Sequence, residues 1–255
     1  MAVPIVLNSH GPITTLLLDR PEKRNAITLL QWQALPDLVA RAVAMADTRV
    51  IILRGAGGNF AAGADIGEFA QVFADRAATL AYQAAMAATT RAIEHARVPV
   101  IAQIEGLCIG AGVALAAACD LRLAARDARF AITPAKLGLI YSLADTARVM
   151  ALVGPGVTKD LLFTGRMIDG VEAQAIGLVG AVHASDDLAD AVAEKATLIA
   201  ANSRWSHARG KQIVRKILDG ARDDDPQTLG WFADATEGAD YRAGLAAFAE
   251  RRKPL

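Results

Sequence analysis

Two short stretches of small residues constrain this chain more than anything else in it. The first is Phe60-Ala-Ala-Gly-Ala-Asp-Ile66 and the second is Gly106-Leu-Cys-Ile-Gly-Ala-Gly112. Each follows an apolar run that reads as a buried strand, Val50-Ile-Ile-Leu53 before the first and Val98-Pro-Val-Ile-Ala-Gln-Ile104 before the second. Each also opens onto a helical pattern. Turns built from glycine and alanine expose backbone N–H groups, and two such sets aimed at one point can hold a developing negative charge. The stretch from Gly110 to Cys119 is so poor in bulky side chains that its helix must be buried.

The rest of the chain repeats this alternation. Val3–Asn8 and Ile13–Asp19 read as strands around a turn at His10-Gly11-Pro12. Arg20-Pro-Glu-Lys-Arg-Asn25 is a polar loop, and Thr28 with Gln31 is a capping box for a helix running to about Ala46. Gly55-Ala-Gly-Gly58 ends the next strand. A helix starts near Asp65, and a long one covers Arg76 to Ala96. Leu121–Ala124, Arg129–Ile132 and Leu178–His183 read as further strands, and from Ser185 onward the pattern is helical throughout. The expectation is an α/β core over residues 1–184, built from strand, strand, helix units, with a helical region over residues 185–255.

Composition sets the class. Of 255 residues, 53% are hydrophobic and 21% charged, which describes a globular protein with a sizeable core. Lys plus Arg equals Asp plus Glu, so no broad nucleic-acid surface is expected. No apolar run reaches the length of a membrane span. The first residues, Met1-Ala-Val-Pro-Ile-Val-Leu-Asn8, read as a strand and not as a signal peptide, so a cytoplasmic location is the default. Cys108 and Cys119 sit in apolar surroundings as small core residues. His10, His95, His183 and His207 are scattered without ligand spacing, so no metal site is expected.

The familiar nucleotide and nucleophile motifs fail. Gly110-Ala-Gly112 would begin a dinucleotide fingerprint, but its third glycine position is Leu115, too bulky for close helix–strand packing. Gly55-Ala-Gly57 meets Phe60 at the same position. There is no Gly-Lys-Ser/Thr phosphate loop and no Gly-x-Ser-x-Gly elbow.

The joint order of motifs is more specific. It runs from Arg20-Pro21 and Asn25-Ala26 through the two small-residue turns to Cys119-Asp120-Leu121, Phe130 and Lys136-Leu-Gly138. Leu162-Phe-Thr-Gly165, Ile176-Gly-Leu-Val179 and Phe248-Ala-Glu-Arg-Arg-Lys-Pro254 complete it. Over essentially the whole chain this resembles the crotonase (enoyl-CoA hydratase/isomerase) superfamily. The resemblance implies a spiral of strand–strand–helix units, with a C-terminal helical region that forms homotrimers or dimers of trimers. It implies a coenzyme A thioester as substrate, with no separate cofactor, and a place in acyl-CoA and fatty-acid metabolism. Two backbone N–H groups would polarise the thioester carbonyl and stabilise an enolate, and on this chain they fall on Ala62 and Ala111. Arg24, Asn25 and Ala26 match the family's coenzyme A loop, and Ala62, Ala64, Asp65 and Ile66 the adjoining contacts. Arg251, Arg252 and Lys253 are either cations for the coenzyme A phosphates or a solvated tail.

The sequence also departs from that family. The two glutamates that a family hydratase sets over the double bond fall on Ala114 and Pro134, and neither residue can move a proton. The segment Phe130 to Leu143 is similar to methylmalonyl-CoA decarboxylase-type members, which carry a tyrosine where this chain has Tyr141. Those members keep a histidine at the Ala64 position and a glutamate at the Ala114 position. Tyr141 is therefore read either as an acyl contact or as pocket wall. Asp145 is read either as a catalytic carboxylate or as a helix N-cap. Asp65 and Glu68 read as helix-start charges, and Lys136 as solvated.

Overall fold

The computed structural model describes residues 3–250. They fall into two compact units that divide after Ala200. The first unit opens with β1 (Ile5–His10) and β2 (Ile13–Leu18), an antiparallel hairpin, followed by α1 (Leu29–Ala44) and β3 (Val50–Gly55). Next come α2 (Phe69–Val72), α3 (Arg76–Glu94), β4 (Val100–Ile104), β5 (Leu107–Ile109) and α4 (Ala111–Ala118). Then follow β6 (Leu121–Ala125), β7 (Arg129–Ala131), α5 (Leu143–Thr164), β8 (Ile168–Asp169), α6 (Gly170–Ala175), β9 (Ala181–His183) and α7 (Leu188–Ala200). The larger sheet runs β1-β2-β3-β4-β6-β9 and is parallel after its first pair; the smaller runs β5-β7-β8. The fold is thus mixed α/β, with strand–strand–helix units in β1-β2-α1, β4-β5-α4 and β6-β7-α5.

The central strands show why this order holds. All five β4 residues are buried, as a parallel strand covered on both faces must be. In α1 the buried side chains Gln31, Trp32, Leu35, Val39 and Ala42 recur at helical spacing. The expected capping box is present: Gln31 N–H donates to Thr28 Oγ1 at 3.2 Å, and Thr28 N–H donates to Gln31 Oε1 at 3.0 Å. Pro36 lies inside this helix and has no N–H for the carbonyl four residues back, on Trp32. Thr89 of α3 fills that gap, its hydroxyl donating to the Trp32 carbonyl at 2.6 Å.

Two boundaries differ from the sequence reading. The second small-residue stretch is not one turn. It is the three-residue strand β5 between two glycine corners, Gly106 and Gly110, both at positive φ. Three residues are too few to show a period. The chain is helical from Leu188 on, but the first of these helices, α7, joins the first unit: Leu188, Val192 and Ala196 are fully buried in the core, where α7 packs against β3, β4 and β6. The compact first unit therefore runs to Ala200. Helix α5 is broken at Gly154, which takes φ 75° and ψ 167°. The second unit consists of α8 (Arg204–Leu218), α9 (Pro226–Glu237) and α10 (Ala239–Glu250). Among the described residues no helix is long and apolar enough to cross a membrane. Cys108 and Cys119 are free thiols within the core, as expected.

Candidate active site

The two small-residue stretches are stitched to each other. Ala61 N–H donates to the Leu107 carbonyl at 2.9 Å, and Ile109 N–H donates to the Ala61 carbonyl at 3.0 Å. Helix α4 leaves the second stretch pressed against the first. A Cβ on Gly112 would lie 2.5 Å from the Ala61 carbonyl oxygen, so the approach requires glycine.

The hydrogen bonds then decide which amides can meet a ligand. The Ala62 N–H, expected as the first oxyanion donor, is engaged: it donates to the Arg24 carbonyl at 2.9 Å. Gly63 turns the chain at φ 107°, so Ala64 is not in the same environment. Around it, Ile27 N–H donates to the Gly63 carbonyl at 2.8 Å and Asp65 N–H donates to the Ile27 carbonyl at 2.9 Å. The Ala64 N–H itself has no acceptor among the described residues. Ala111 is the first residue of α4, where an N–H has no partner within the helix and the helix dipole favours negative charge. It too has no acceptor among the described residues. Of the two amides expected as oxyanion donors, that of Ala62 is thus engaged and that of Ala111 is unengaged, as is the neighbouring amide of Ala64.

Both unengaged amides border one cavity of about 130 Å³. Phe69, Phe73 and Tyr82 form an aromatic wall, edge to face, with ring centroids 4.9 and 5.7 Å apart in successive pairs. Burial pushes the Tyr82 phenol up to about 12. Pro134 lies in the wall, while Ala114 is fully buried in α4. Among the lining residues Asp145 is the single carboxylic acid. It is well occupied: Arg148 Nη1 donates to one oxygen at 2.8 Å, and the Ser142 hydroxyl donates to the other at 2.6 Å. Ser142, not Asp145, is the N-cap of α5, because its hydroxyl accepts the Asp145 N–H at 3.1 Å. Asp145 stands at the third helical position instead, bonded back to that cap.

Tyr141 borders the same cavity, but its hydroxyl turns to the backbone and donates to the Gly110 carbonyl at 3.1 Å. Burial, with the charge of Asp145 next, holds its phenol well above the ordinary value.

The loop expected to meet coenzyme A is internally braced. Arg24 and Asn25 take φ of 50° and 56°, an uncommon region for residues other than glycine. Asn25 is fully buried; its amide donates to the Ala56 carbonyl at 2.8 Å and the Asn59 carbonyl at 2.6 Å, and its oxygen accepts the Arg20 N–H at 2.9 Å. That side chain shapes the loop and has nothing left for a ligand. Arg24 is exposed and uses its carbonyl on Ala62; the Ala26 carbonyl accepts Arg20 Nη1 at 2.7 Å. Asp65 caps Gly67 and pairs with Arg20 at 2.9 Å. Burial opposes its charge, yet the Arg20 hydrogen bond holds its carboxyl below the usual range. Glu68 accepts the Leu29 N–H at 2.7 Å and so caps α1. Ile66 is exposed at the cavity, and Lys136 is exposed outside it. Arg251, Arg252 and Lys253 lie outside the described residues.

Sequence reasoning did not single out Tyr82, Gln83 or Thr133, which also line the cavity. Tyr82 and Gln83 belong to α3, where the amphipathic pattern marks a buried face but not which cavity it borders.

The comparisons fit this geometry. The chain matches the enoyl-CoA hydratase/isomerase family over residues 9–255. It is 32% identical to a crotonyl-CoA hydratase of Syntrophomonas wolfei, covering 98% of this chain and 96% of that one. Its structure resembles that of an enoyl-CoA hydratase/isomerase family protein of Hyphomonas neptunium, with a TM-score of 0.95, 41% identity, and coverage of 99% and 97%. It also resembles an enoyl-CoA hydratase/carnithine racemase of Magnetospirillum magneticum, with a TM-score of 0.94, 34% identity, and coverage of 100% and 95%. The family match over residues 9–255, with full-length similarity to these relatives on the same fold, places the protein in the enoyl-CoA hydratase/isomerase family.

Proposed function

We propose that the protein processes a coenzyme A thioester by stabilising an enolate at the Ala64 and Ala111 N–H groups, without a glutamate pair. The observation that carries this reading is the pair of amides without acceptors on a cavity whose one carboxylic acid is already bonded on both oxygens. Two preorganised donors in a site with apolar walls contribute a few kcal/mol each to stabilising an oxyanion, roughly 3 apiece. Such a hole favours any step that leaves an electron pair beside the thioester carbonyl.

Decarboxylation is the step that asks least of the remaining side chains. The bond between the α-carbon and a carboxylate breaks, its electron pair enters the thioester as an enolate, carbon dioxide leaves, and a proton from water then returns to the α-carbon. No strong base is needed. Hydration needs a group to activate water and another to protonate carbon; Ala114 and Pro134 supply neither. The second reading is hydration or isomerisation through substitute groups such as Asp145, and its support is the full-length similarity to a relative named crotonyl-CoA hydratase.

The test is a substrate panel. Malonyl-type thioesters are expected to release carbon dioxide, while crotonyl-CoA is turned over slowly or not at all. Rapid hydration of crotonyl-CoA overturns the first reading in favour of the second. Tight binding of the whole panel without turnover would identify an acyl-CoA-binding protein. The same proposal includes a homotrimer or dimer of trimers formed through the C-terminal helices. It is supported by the exposed Leu229, Phe232 and Leu245 of the second unit, and light scattering of the purified protein measures it.

A further inference from the structure

The second proposed oxyanion donor is attached to a peptide unit that its own backbone holds by one long bond only. The Ala111 N–H belongs to the Gly110–Ala111 peptide, and Gly110 takes φ 52° and ψ −110°, a conformation with few intrinsic restraints only because the residue is glycine. Gly110 N–H is tied to the Ala131 carbonyl at 2.8 Å, but that bond lies on the other side of the Cα and does not fix the plane of the next peptide. Two hydrogen bonds fix it, both at the Gly110 carbonyl: the Ala114 N–H at 3.2 Å, the first and long bond of α4, and the Tyr141 hydroxyl at 3.1 Å.

We infer that Tyr141 is a positioning residue that orients and polarises the Gly110–Ala111 peptide. This rests on the enolate reading above. A donor on a peptide carbonyl draws electron density toward oxygen and makes the N–H of the same peptide a stronger donor; in condensed phase each bond of such a chain strengthens by about 10–30%. The effect grows as charge develops on the substrate oxygen, so it belongs to the transition state more than to binding. The first donor needs no such aid. The Gly63 carbonyl, on the same peptide as the Ala64 N–H, is fixed by the backbone of Ile27. Tyr141 thus acts on the reaction although its hydroxyl faces the protein, and its raised phenol keeps the proton in place for that bond.

The experiment is isotope-edited infrared spectroscopy of carbonyl-13C-labelled acetyl-CoA bound to the full-length protein, with kinetics on the substrate the panel identifies. Wild type is expected to lower the thioester carbonyl frequency on binding. In Tyr141→Phe that lowering shrinks, and kcat falls about fivefold to tenfold with KM nearly constant, a fraction of the 10²–10³ that loss of a whole donor removes. Replacing Tyr141 with a difluorotyrosine, a stronger donor, enlarges the frequency change, so the three proteins follow donor strength. An unchanged carbonyl frequency in both variants overturns the role of Tyr141. No lowering in wild type overturns the enolate reading itself. The difluorotyrosine protein keeps the test open if the phenylalanine variant does not fold.

Discussion

The two small-residue stretches look alike in sequence and are held in different ways. In the first, the peptide that carries the Ala64 N–H is locked by a backbone bond from Ile27 on its carbonyl. Side chains act one step away, where Asn25 and Arg20 brace the loop that Ala62 bonds to. In the second, the peptide that carries the Ala111 N–H has only the long backbone bond from Ala114, at 3.2 Å, and shares its carbonyl with the Tyr141 hydroxyl at 3.1 Å. The contrast teaches that the Ala64 peptide is held by backbone alone, whereas the Ala111 peptide is held in part by a single side chain. Mutations should separate stability from turnover along this line.

The largest effect is expected where the two stretches meet. In Gly112→Val the Cβ alone would come within 2.5 Å of the Ala61 carbonyl oxygen, a backbone atom that cannot swing aside. The loss of stability should reach about 3 kcal/mol, the upper end for overpacking, and activity should disappear with both donors displaced. Urea unfolding measures the first and the substrate panel the second. A variant with wild-type stability would mean that the stretches can separate freely.

Asn25→Gly attacks the first stretch alone. Glycine keeps the positive φ of this position but removes the bonds to the Ala56 and Asn59 carbonyls and leaves the Arg20 N–H without its acceptor. Each buried polar group left alone costs about 1–3 kcal/mol, and partial access to water should hold the sum near about 2–3 kcal/mol. The kcat of the folded enzyme should fall less than in Tyr141→Phe, which in turn should leave the urea midpoint nearly unchanged. If Asn25→Gly lowers kcat and spares stability, the distinction between the two stretches fails.

How much of this was legible in the sequence follows from the range of the forces involved. β3 and β4 declare themselves through continuous apolar runs, and α1 through its capping box, because those signals are local. Strands β5 and β8, three and two residues long, are defined only by distant partners and leave no period. The same limit separates the two alanine amides of the first stretch. Ala62 and Ala64 are equivalent small residues on paper, and what separates them is a bond from Ala62 to the distant Arg24 carbonyl. Asp145 was legible as a helix-start residue but not as the third position behind a Ser142 cap. Its pairing with Arg148, which also binds Glu94 on α3 at 2.6 Å, depends on two helices meeting.

Gly110→Ala probes the second stretch with a smaller effect. A Cβ there meets only Thr133 Oγ1, at 3.7 Å, so space is not the obstacle. The obstacle is the backbone, whose φ 52° and ψ −110° lie in a region essentially confined to glycine and cost a residue with a Cβ about 1–3 kcal/mol. Relaxation of that strain would rotate the Gly110–Ala111 peptide. Stability should therefore drop modestly, while the infrared shift of bound acetyl-CoA should drop as far as in Tyr141→Phe. Combining the two substitutions should add little further loss in the shift, because both act through one peptide.

The smallest expected effect is electrostatic and belongs to the first stretch. Asp65 caps Gly67 and pairs with Arg20, both side chains being mostly shielded from solvent. Its carboxyl is held below the ordinary value, chiefly by the Arg20 hydrogen bond working against burial. A group whose folded pKa is lowered contributes its full stabilisation above the unfolded value, about 3.9 for aspartate, and loses it as pH falls through the folded value. The contribution is about 1 kcal/mol or less, as for a pair that water still reaches. Stability of wild type relative to Asp65→Asn, compared by urea unfolding, should therefore be constant from pH 7 down to about 5 and narrow below the aspartate range of about 3.9. Because Arg20 also holds the Ala26 carbonyl and bonds Asn25, loosening the pair should reach the Ala62 and Ala64 side of the cavity first. The infrared shift of bound acetyl-CoA at pH 7 in Asp65→Asn should then change less than in Tyr141→Phe. A larger change would mean that the first donor is as adjustable as the second.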